Sequence, residues 1–246
     1  MADGPGFSML PDDLPPGRLI TGYYTDARWG DRPLLWVTDE PIYDLGKLWE
    51  RSFDTREETG LYPLLLATMD GDPDRPWHAA ELAYVPVEAV DAIDVASYLS
   101  RWTEHRPWNG LAAPGAQQRE PDKAAAAMVE EVTEFRPWLV GLVPASRGAD
   151  ALALSGWTGP TNHSPTAPIS AVVRSWEERF GARVVWVGFD ELALSVAAPP
   201  LSIEHAQQVA AEHYAFCPDN INQSHHNFEG YAASLVEAKE WRFWWD

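Results

Sequence analysis

Trp241-Arg242-Phe243-Trp244-Trp245-Asp246 closes the sequence, and the reading of these six residues decides the fold. Chain ends are usually polar and frayed. Here three Trp and one Phe crowd the terminus, and each such ring can bury roughly 150–250 Å². The stretch is therefore expected to be a strand docked into the interior. Working back from it, Phe228, Tyr231, Leu235 and Val236 mark one helix, and Glu204 to Phe216 reads as another, with Ala206, Val209, Ala210 and His213 aligned. Leu192, Leu194 and Val196 alternate with smaller residues, and Asp190-Glu191 reverses the chain before them. Val184 to Phe189 is nearly all apolar and β-branched, as in a strand covered on both faces. Ile169, Val172, Val173, Trp176 and Phe180 form a helical stripe that Gly181 closes. The order helix, strand, strand, helix, helix, strand predicts an α+β fold: a mixed or largely antiparallel sheet flanked by helices, with the C-terminal strand inserted in the sheet.

Upstream, residues 1–33 read as an irregular lead containing a Tyr23-Tyr24 pair. Leu34 to Val37 suggests a strand, Asp44 to Glu58 a helix stopped by Gly60, and Leu61 to Met69 a second strand ended by Asp70-Gly71-Asp72-Pro73. Asp94 to His105 is helical in pattern. Leu111 to Pro121 reads as a linker, Pro121 to Phe135 as a helix with Pro at its first position, and Trp138 to Val143 as a strand. Gly156 to Pro168 is a further break. The expected division is an N-terminal α/β region, 1–137, and a C-terminal α+β domain, 138–246. Arg-Pro-Trp occurs at 75–77, 106–108 and 136–138, but the sequences between the copies do not match, so helix exits explain the motif better than a repeat.

The chain has 246 residues, 18 basic and 37 acidic, for a net charge of −19. The excess is spread: residues 1–167 hold 13 basic and 26 acidic residues, and 168–246 hold 5 and 11. Such a field repels phosphate backbones, so nucleic acid is not an expected partner; the acidity serves solubility on the plainer reading and an acidic face for a basic protein partner on the sharper one. No run approaches ~20 apolar residues, so no membrane span is expected. One cysteine, Cys217, excludes an internal disulfide framework and, with no secretion signal at the start, points to a soluble cytoplasmic protein.

Chemistry-bearing residues gather late in the sequence. Cys217-Pro218-Asp219-Asn220 joins two expected helices, and His213 lies one helical turn before Cys217. His213, Cys217 and Asp219 are the candidate catalytic residues, a nucleophile with its base. The competing reading is a small buried thiol, a hydrogen-bonded core histidine and a capping Asp or Asn. Pro218, where a Gly-rich turn would be wanted, weighs against the nucleophile. Asn220, Trp244, Asp246 and Trp157 are the candidate binding residues. Asp246 carries two negative groups and calls for Arg183, Arg242 or a helix N-terminus as partner. The seven His show no His-x-x-x-His spacing and there is no Cys pair, so no metal is expected, and no nucleotide-binding or esterase motif points to a cofactor or to acyl chemistry. The 13 Trp either line a groove or fill the core.

Five ordered motifs carry a resemblance: Gly141-Leu142-Val143-Pro144-Ala145, Gly156-Trp157-Thr158-Gly159, Ser175-Trp176-Glu177-Glu178-Arg179-Phe180-Gly181-Ala182-Arg183, Phe216-Cys217-Pro218-Asp219-Asn220 and the closing Trp-x-Phe-Trp-Trp-Asp. Together they resemble the bacterial family labelled domain of unknown function 4253 over about 138–246, and Thr59 to Leu66 is similar to the upstream part of its long members. The resemblance implies no reaction. Where members often carry Gln-Gly after the Cys-Pro-Asp-Asn motif, this chain has Gln223-Ser224-His225-His226. The expected function is binding or interaction without catalysis, of the immunity-protein type. The alternative is a small hydrolase or transferase built on His213, Cys217 and Asp219.

Overall fold

The computed structural model describes residues 6–22, 32–72, 74–103, 108–225 and 227–246. The expectations placed on Tyr23-Tyr24, Pro73, His105, Arg106-Pro107 and His226 lie outside them.

Seven strands form one sheet: β1 Gly17–Thr21, β2 Pro33–Thr38, β3 Leu61–Leu66, β4 Leu139–Pro144, β5 Arg183–Val187, β6 Glu191–Ser195 and β7 Glu240–Trp244. Their spatial order is β1-β2-β4-β3-β5-β6-β7. All neighbours are antiparallel except β3 and β5, which run parallel with Leu65 opposite Trp186 and Leu66 opposite Val187. The sheet is therefore mixed, and its last strand is the Trp-rich terminus. β3 comes from the first part of the chain and stands between β4 and β5 of the second. All six β3 residues are buried. Pro63 sits in this interior strand because pairing with β5 begins only at Leu65, beyond the missing N–H.

The helices are α1 Gly46–Asp54, α2 Arg56–Thr59, α3 Val87–Asp91, α4 Val95–Ser100, α5 Pro121–Phe135, α6 Gly148–Leu154, α7 Thr166–Phe180, α8 Ile203–Phe216 and α9 Phe228–Ser234, with a π-helical turn at Asn220–His225. One group packs α1 and α2 on β3, α5 on β5 and β6, and α1 on α5. A second group packs α6 on β3, β4 and β5, then α7 on α6, with α3, α4, α8 and α9 built around them. Local chemistry sets the ends. Glu120 accepts from the amides of Asp122 and Lys123 to start α5, with Pro121 at its first position. Ser202 and Asn227 cap α8 and α9, and Gly181, at φ 57°, ends α7 in the left-handed region that only Gly enters cheaply.

Three expectations need correction. The lead, 1–33, is not wholly irregular, because it contributes the edge strand β1, in which Ile20 alone is buried. The helix expected over Asp44 to Glu58 breaks at Thr55 into α1 and α2. The helix after Asp94 ends at Ser100. The short helices α3 and α6 were not anticipated: α6 is buried along almost all of its Gly-Ala-Asp-Ala-Leu-Ala-Leu sequence and so shows no amphipathic stripe.

The terminus is closely packed. Trp241, Phe243 and Trp245 alternate onto one face and are buried. Trp176 of α7 meets Trp241 and Phe243, each at 5.4 Å between ring centroids, and Trp245 meets Trp157 edge-on at 5.8 Å. Among the described residues nine Trp are buried, so tryptophan mostly fills the core here.

Candidate functional site

The Cys-Pro-Asp-Asn segment turns the chain out of α8 and runs beside the free edge of β7. The Asn220 side chain behaves as a missing strand neighbour: Nδ2 donates to Arg242 O (2.5 Å), and Trp244 N donates to Oδ1 (3.2 Å). The Cys217 thiol donates to Trp244 O (2.9 Å) and also reaches Asn220 Oδ1 (3.5 Å). Asp219 accepts from the backbone N of Asp246 (3.2 Å) and from Gln223 (3.0 Å), and Asn162 donates to Asp246 O (3.0 Å). A shallow groove of about 300 Å³ follows the edge past Asn220, Tyr231, Trp241 and Trp244.

The clamp continues inward to the histidine. The two backbone bonds orient the Asn220 amide, whose Nδ2 also donates to Tyr231 Oη (3.3 Å). Tyr231 Oη and His213 Nδ1 share a hydrogen bond of 2.9 Å. Nε2 has no hydrogen-bond partner. The imidazole is surrounded by rings: Trp176, Trp241 and Phe243 have centroids 4.6–4.9 Å from it, all edge-on. Burial and, secondarily, the Arg179 charge lower the His213 pKa to about 3, and burial raises that of Cys217 to about 12.

The structure thus brings His213, Cys217, Asp219, Asn220, Trp244 and Asp246 into one corner but separates their roles. His213 faces Tyr231 rather than Cys217, and both are sealed from solvent. Asp219 and Asp246 sit at the rim. Trp157 is buried and donates to Gly188 O (2.7 Å). Arg183 binds Asp122 and Arg242 binds Glu240, so neither is the partner expected for Asp246. Among the described residues no group of His, Cys, Asp or Glu side chains is arranged to hold a metal.

Sequence reading missed a second polar centre. Glu212, fully buried on α8, takes a bidentate pair from Arg179 (2.8 and 2.7 Å), with Trp176 Nε1 (2.7 Å) and the backbone N of Ala112 (2.6 Å). This fully bonded ion pair ties the 111–121 linker to α7 and α8. The only local signal is a charged residue on an otherwise apolar face.

It also missed an exposed patch. Phe135 (79% exposed) and Tyr43 (69%) are the two most exposed large apolar side chains among the described residues. Their segments are held side by side, because Ile42 and Trp138 exchange backbone hydrogen bonds of 2.8 and 3.1 Å and α1 packs on α5. Exposed Asp39, Glu40, Asp44 and Glu50 lie on one segment, Glu130, Glu131 and Glu134 on the other; Lys47 and Arg136 are cations of the same segments, and Asp39 is paired with Arg18 (3.3 Å). Three of these acids crowd the C-terminal turns of α5, where the helix dipole disfavours negative charge, and α5 has no basic residue in its last turn.

The last 108 positions, from β4 to the final residue, hold all five quoted motifs and the whole Asn220 edge clamp. Residues 139–246 match the model of the family described as a domain of unknown function, DUF4253. No curated protein and no solved structure matches the chain. The DUF4253 region contains β4 to β7 and the His213–Cys217–Asn220 cluster, while β3 and the Tyr43–Phe135 patch lie outside it. No helix among the described residues is long and apolar enough to cross a membrane.

Proposed function

We propose that the protein works by binding a basic protein partner, in the manner of an immunity protein, through the Tyr43–Phe135 patch. The observation that carries this reading is that the two most exposed rings stand on adjoining segments that also carry six exposed carboxylates besides the Arg18-paired Asp39. An apolar centre with a charged rim is the usual anatomy of a protein interface, and the net charge of −19 favours a cationic partner by steering and by excluding acidic ones. The acids also oppose the α5 dipole, and Glu130 and Glu134 stand at like-charge i, i+4 spacing, an arrangement that costs stability and is understandable where another property is served. The hydrolase or transferase alternative gains no support from the geometry, since its base and nucleophile are buried, point to different partners and stay neutral.

The test is a two-dimensional NMR titration of the ¹⁵N-labelled protein with an amphipathic Lys/Leu peptide. Shifts concentrated at Tyr43, Asp44, Glu130, Glu134 and Phe135, weakened by salt and lost in the Glu130→Lys/Glu134→Lys variant, are expected. Shifts spread evenly over the surface, or unchanged in the double variant, would contradict the proposal.

A further inference from the structure

An acidic chain has no general reason to gather cations in a cavity, yet three of its 18 basic residues do so. Arg56, Arg147 and Arg183 line an open cavity of about 390 Å³, with Tyr62, Ser146, Gly148, Glu177 and Glu178. The elements that meet there are α2, the start of β3, the turn between β4 and α6, α7 and the start of β5. Glu177 and Arg183 belong to the Ser175–Arg183 motif, to which the binding reading above gives no role.

We propose that this cavity binds a small oxyanion, held by the guanidinium groups of Arg56, Arg147 and Arg183, with the Glu177 carboxyl as hydrogen-bond donor. The arginines are positioned with N–H groups to spare. Asp122 bridges two of them, taking Arg56 Nη2 on Oδ2 (2.6 Å) and Arg183 Nε on Oδ1 (2.9 Å). Arg56 Nη1 and Arg183 Nη1 bond backbone carbonyls, which leaves Arg56 Nε and Arg183 Nη2 uncommitted. Arg147 reaches Glu178 at 3.4 Å through Nη1 and stands 3.9 Å from Glu177 Oε2 through Nε. The Glu177 side chain is only 7% exposed; its Oε1 accepts from Ala149 N (2.9 Å), and Oε2 faces Arg147 Nε at 3.9 Å, beyond hydrogen-bond distance. A carboxyl that is nearly buried, lines a cavity and meets Arg147 only at 3.9 Å through Oε2 has room at that oxygen for a ligand.

Charge settles which ligand. Facing Glu177 are Arg147 from the β4–α6 turn, Arg183 from β5, Arg56 from α2, Asp122 from α5, Glu178 on its own helix, Tyr62 from β3 and Asp150 from α6. Asp150 is held by Arg174, and Tyr62 remains a phenol that donates to Val184 O. Three arginines against Asp122 and Glu178 leave one positive charge when Glu177 is neutral and none when it is ionised. Burial raises the Glu177 pKa to about 7, opposed by the Ala149 hydrogen bond and by Arg183 and Arg147. Neutral Glu177 both donates a hydrogen bond and leaves the cavity cationic, so the site takes up an anion and a proton together. Affinity is then lost as pH rises through 7.

The test is isothermal titration calorimetry with sulfate, which does not titrate in this range, and with succinate as the carboxylate arm, at pH 6 and pH 8. One saturable site is expected, about tenfold weaker at pH 8 than at pH 6 for a group with pKa near 7. Glu177→Gln should bind with a flat pH profile, and Arg147→Ala should weaken binding at least tenfold; both leave the Asp122 bridge in place. The stronger of the two anions identifies an inorganic-type or a carboxylate ligand. In case Glu177→Gln does not fold, the carboxyl ¹³C titration of Glu177 in the unsubstituted protein should move to higher pH on adding sulfate. Absence of saturable binding to either anion, wild-type affinity in Arg147→Ala, a pH slope that survives in Glu177→Gln, or a Glu177 titration indifferent to sulfate would overturn the proposal. None of these readouts involves Tyr43 or Phe135, so either proposal can fail alone.

Discussion

At Cys217 the reactivity of a thiol is set by what encloses it. A pKa of about 12 leaves more than about a thousandfold less thiolate than an ordinary cysteine has. Iodoacetamide at pH 8 should therefore leave the native protein unmodified and alkylate it in denaturant, with mass spectrometry as readout; rapid labelling of the native protein would restore Cys217 as a candidate nucleophile. Glu177 and His213 give stability opposite pH slopes. Glu177 binds its proton more tightly when folded, so stability falls as pH rises from 4.5 to about 7. His213 resists protonation when folded, so stability falls as pH drops from 6.5 toward 3. Glu177→Gln should gain about 2–3 kcal/mol at pH 8 relative to the unsubstituted protein and much less at pH 5, measured by urea unfolding; an equal change at both pH values would refute the assignment. In the sequence, His213 was legible as a core residue from its place on the α8 stripe. Its partner Tyr231, 18 positions on, was not, and neither was Glu177, whose environment is assembled from Arg147, Ala149 and Arg183 across three elements.

Edge strands expose backbone groups that invite other chains. In β7 these groups are occupied by Asn220 and Cys217, which gives the Cys-Pro-Asp-Asn segment a defined architectural task. Asn220→Ala should strand Arg242 O and Trp244 N and destabilise the protein by about 2–4 kcal/mol, seen as a lower urea midpoint; a change below about 0.5 kcal/mol would show that the clamp is dispensable. On α5 the charges oppose stability. Glu134→Lys places a cation at the helix C-terminus and removes a like-charge i, i+4 pair, so it should stabilise by about 0.5–1 kcal/mol while weakening binding of the basic peptide. Stabilisation without loss of binding would detach the patch from function. Elements with periodic apolar stripes, α5, α7 and α8, were readable because one face of each meets the sheet. β1 and α6 were not: β1 buries a single residue, and α6 is buried nearly all round, so neither leaves a period in the sequence.

For the molecule as a whole, the decisive fact is the place of β3. The chain order suggested a C-terminal sheet of its own, and no local pattern announces that Leu61–Leu66 enters it between β4 and β5. Strand identity is written in local composition, whereas strand neighbourhood depends on contacts more than 70 residues apart. The consequence is that the DUF4253 region shares its sheet with the preceding residues, and that the Trp-rich terminus, the Cys217 enclosure and the Glu177 cavity all rest on that shared sheet. Native-state hydrogen exchange of the full chain across a denaturant series measures this directly. The slowest amides of β3 and of β7 should open in one event, with equal free energies that merge with global unfolding. If β7 instead exchanges at a distinctly lower free energy than β3, the terminus is not sealed into a common sheet and the account fails.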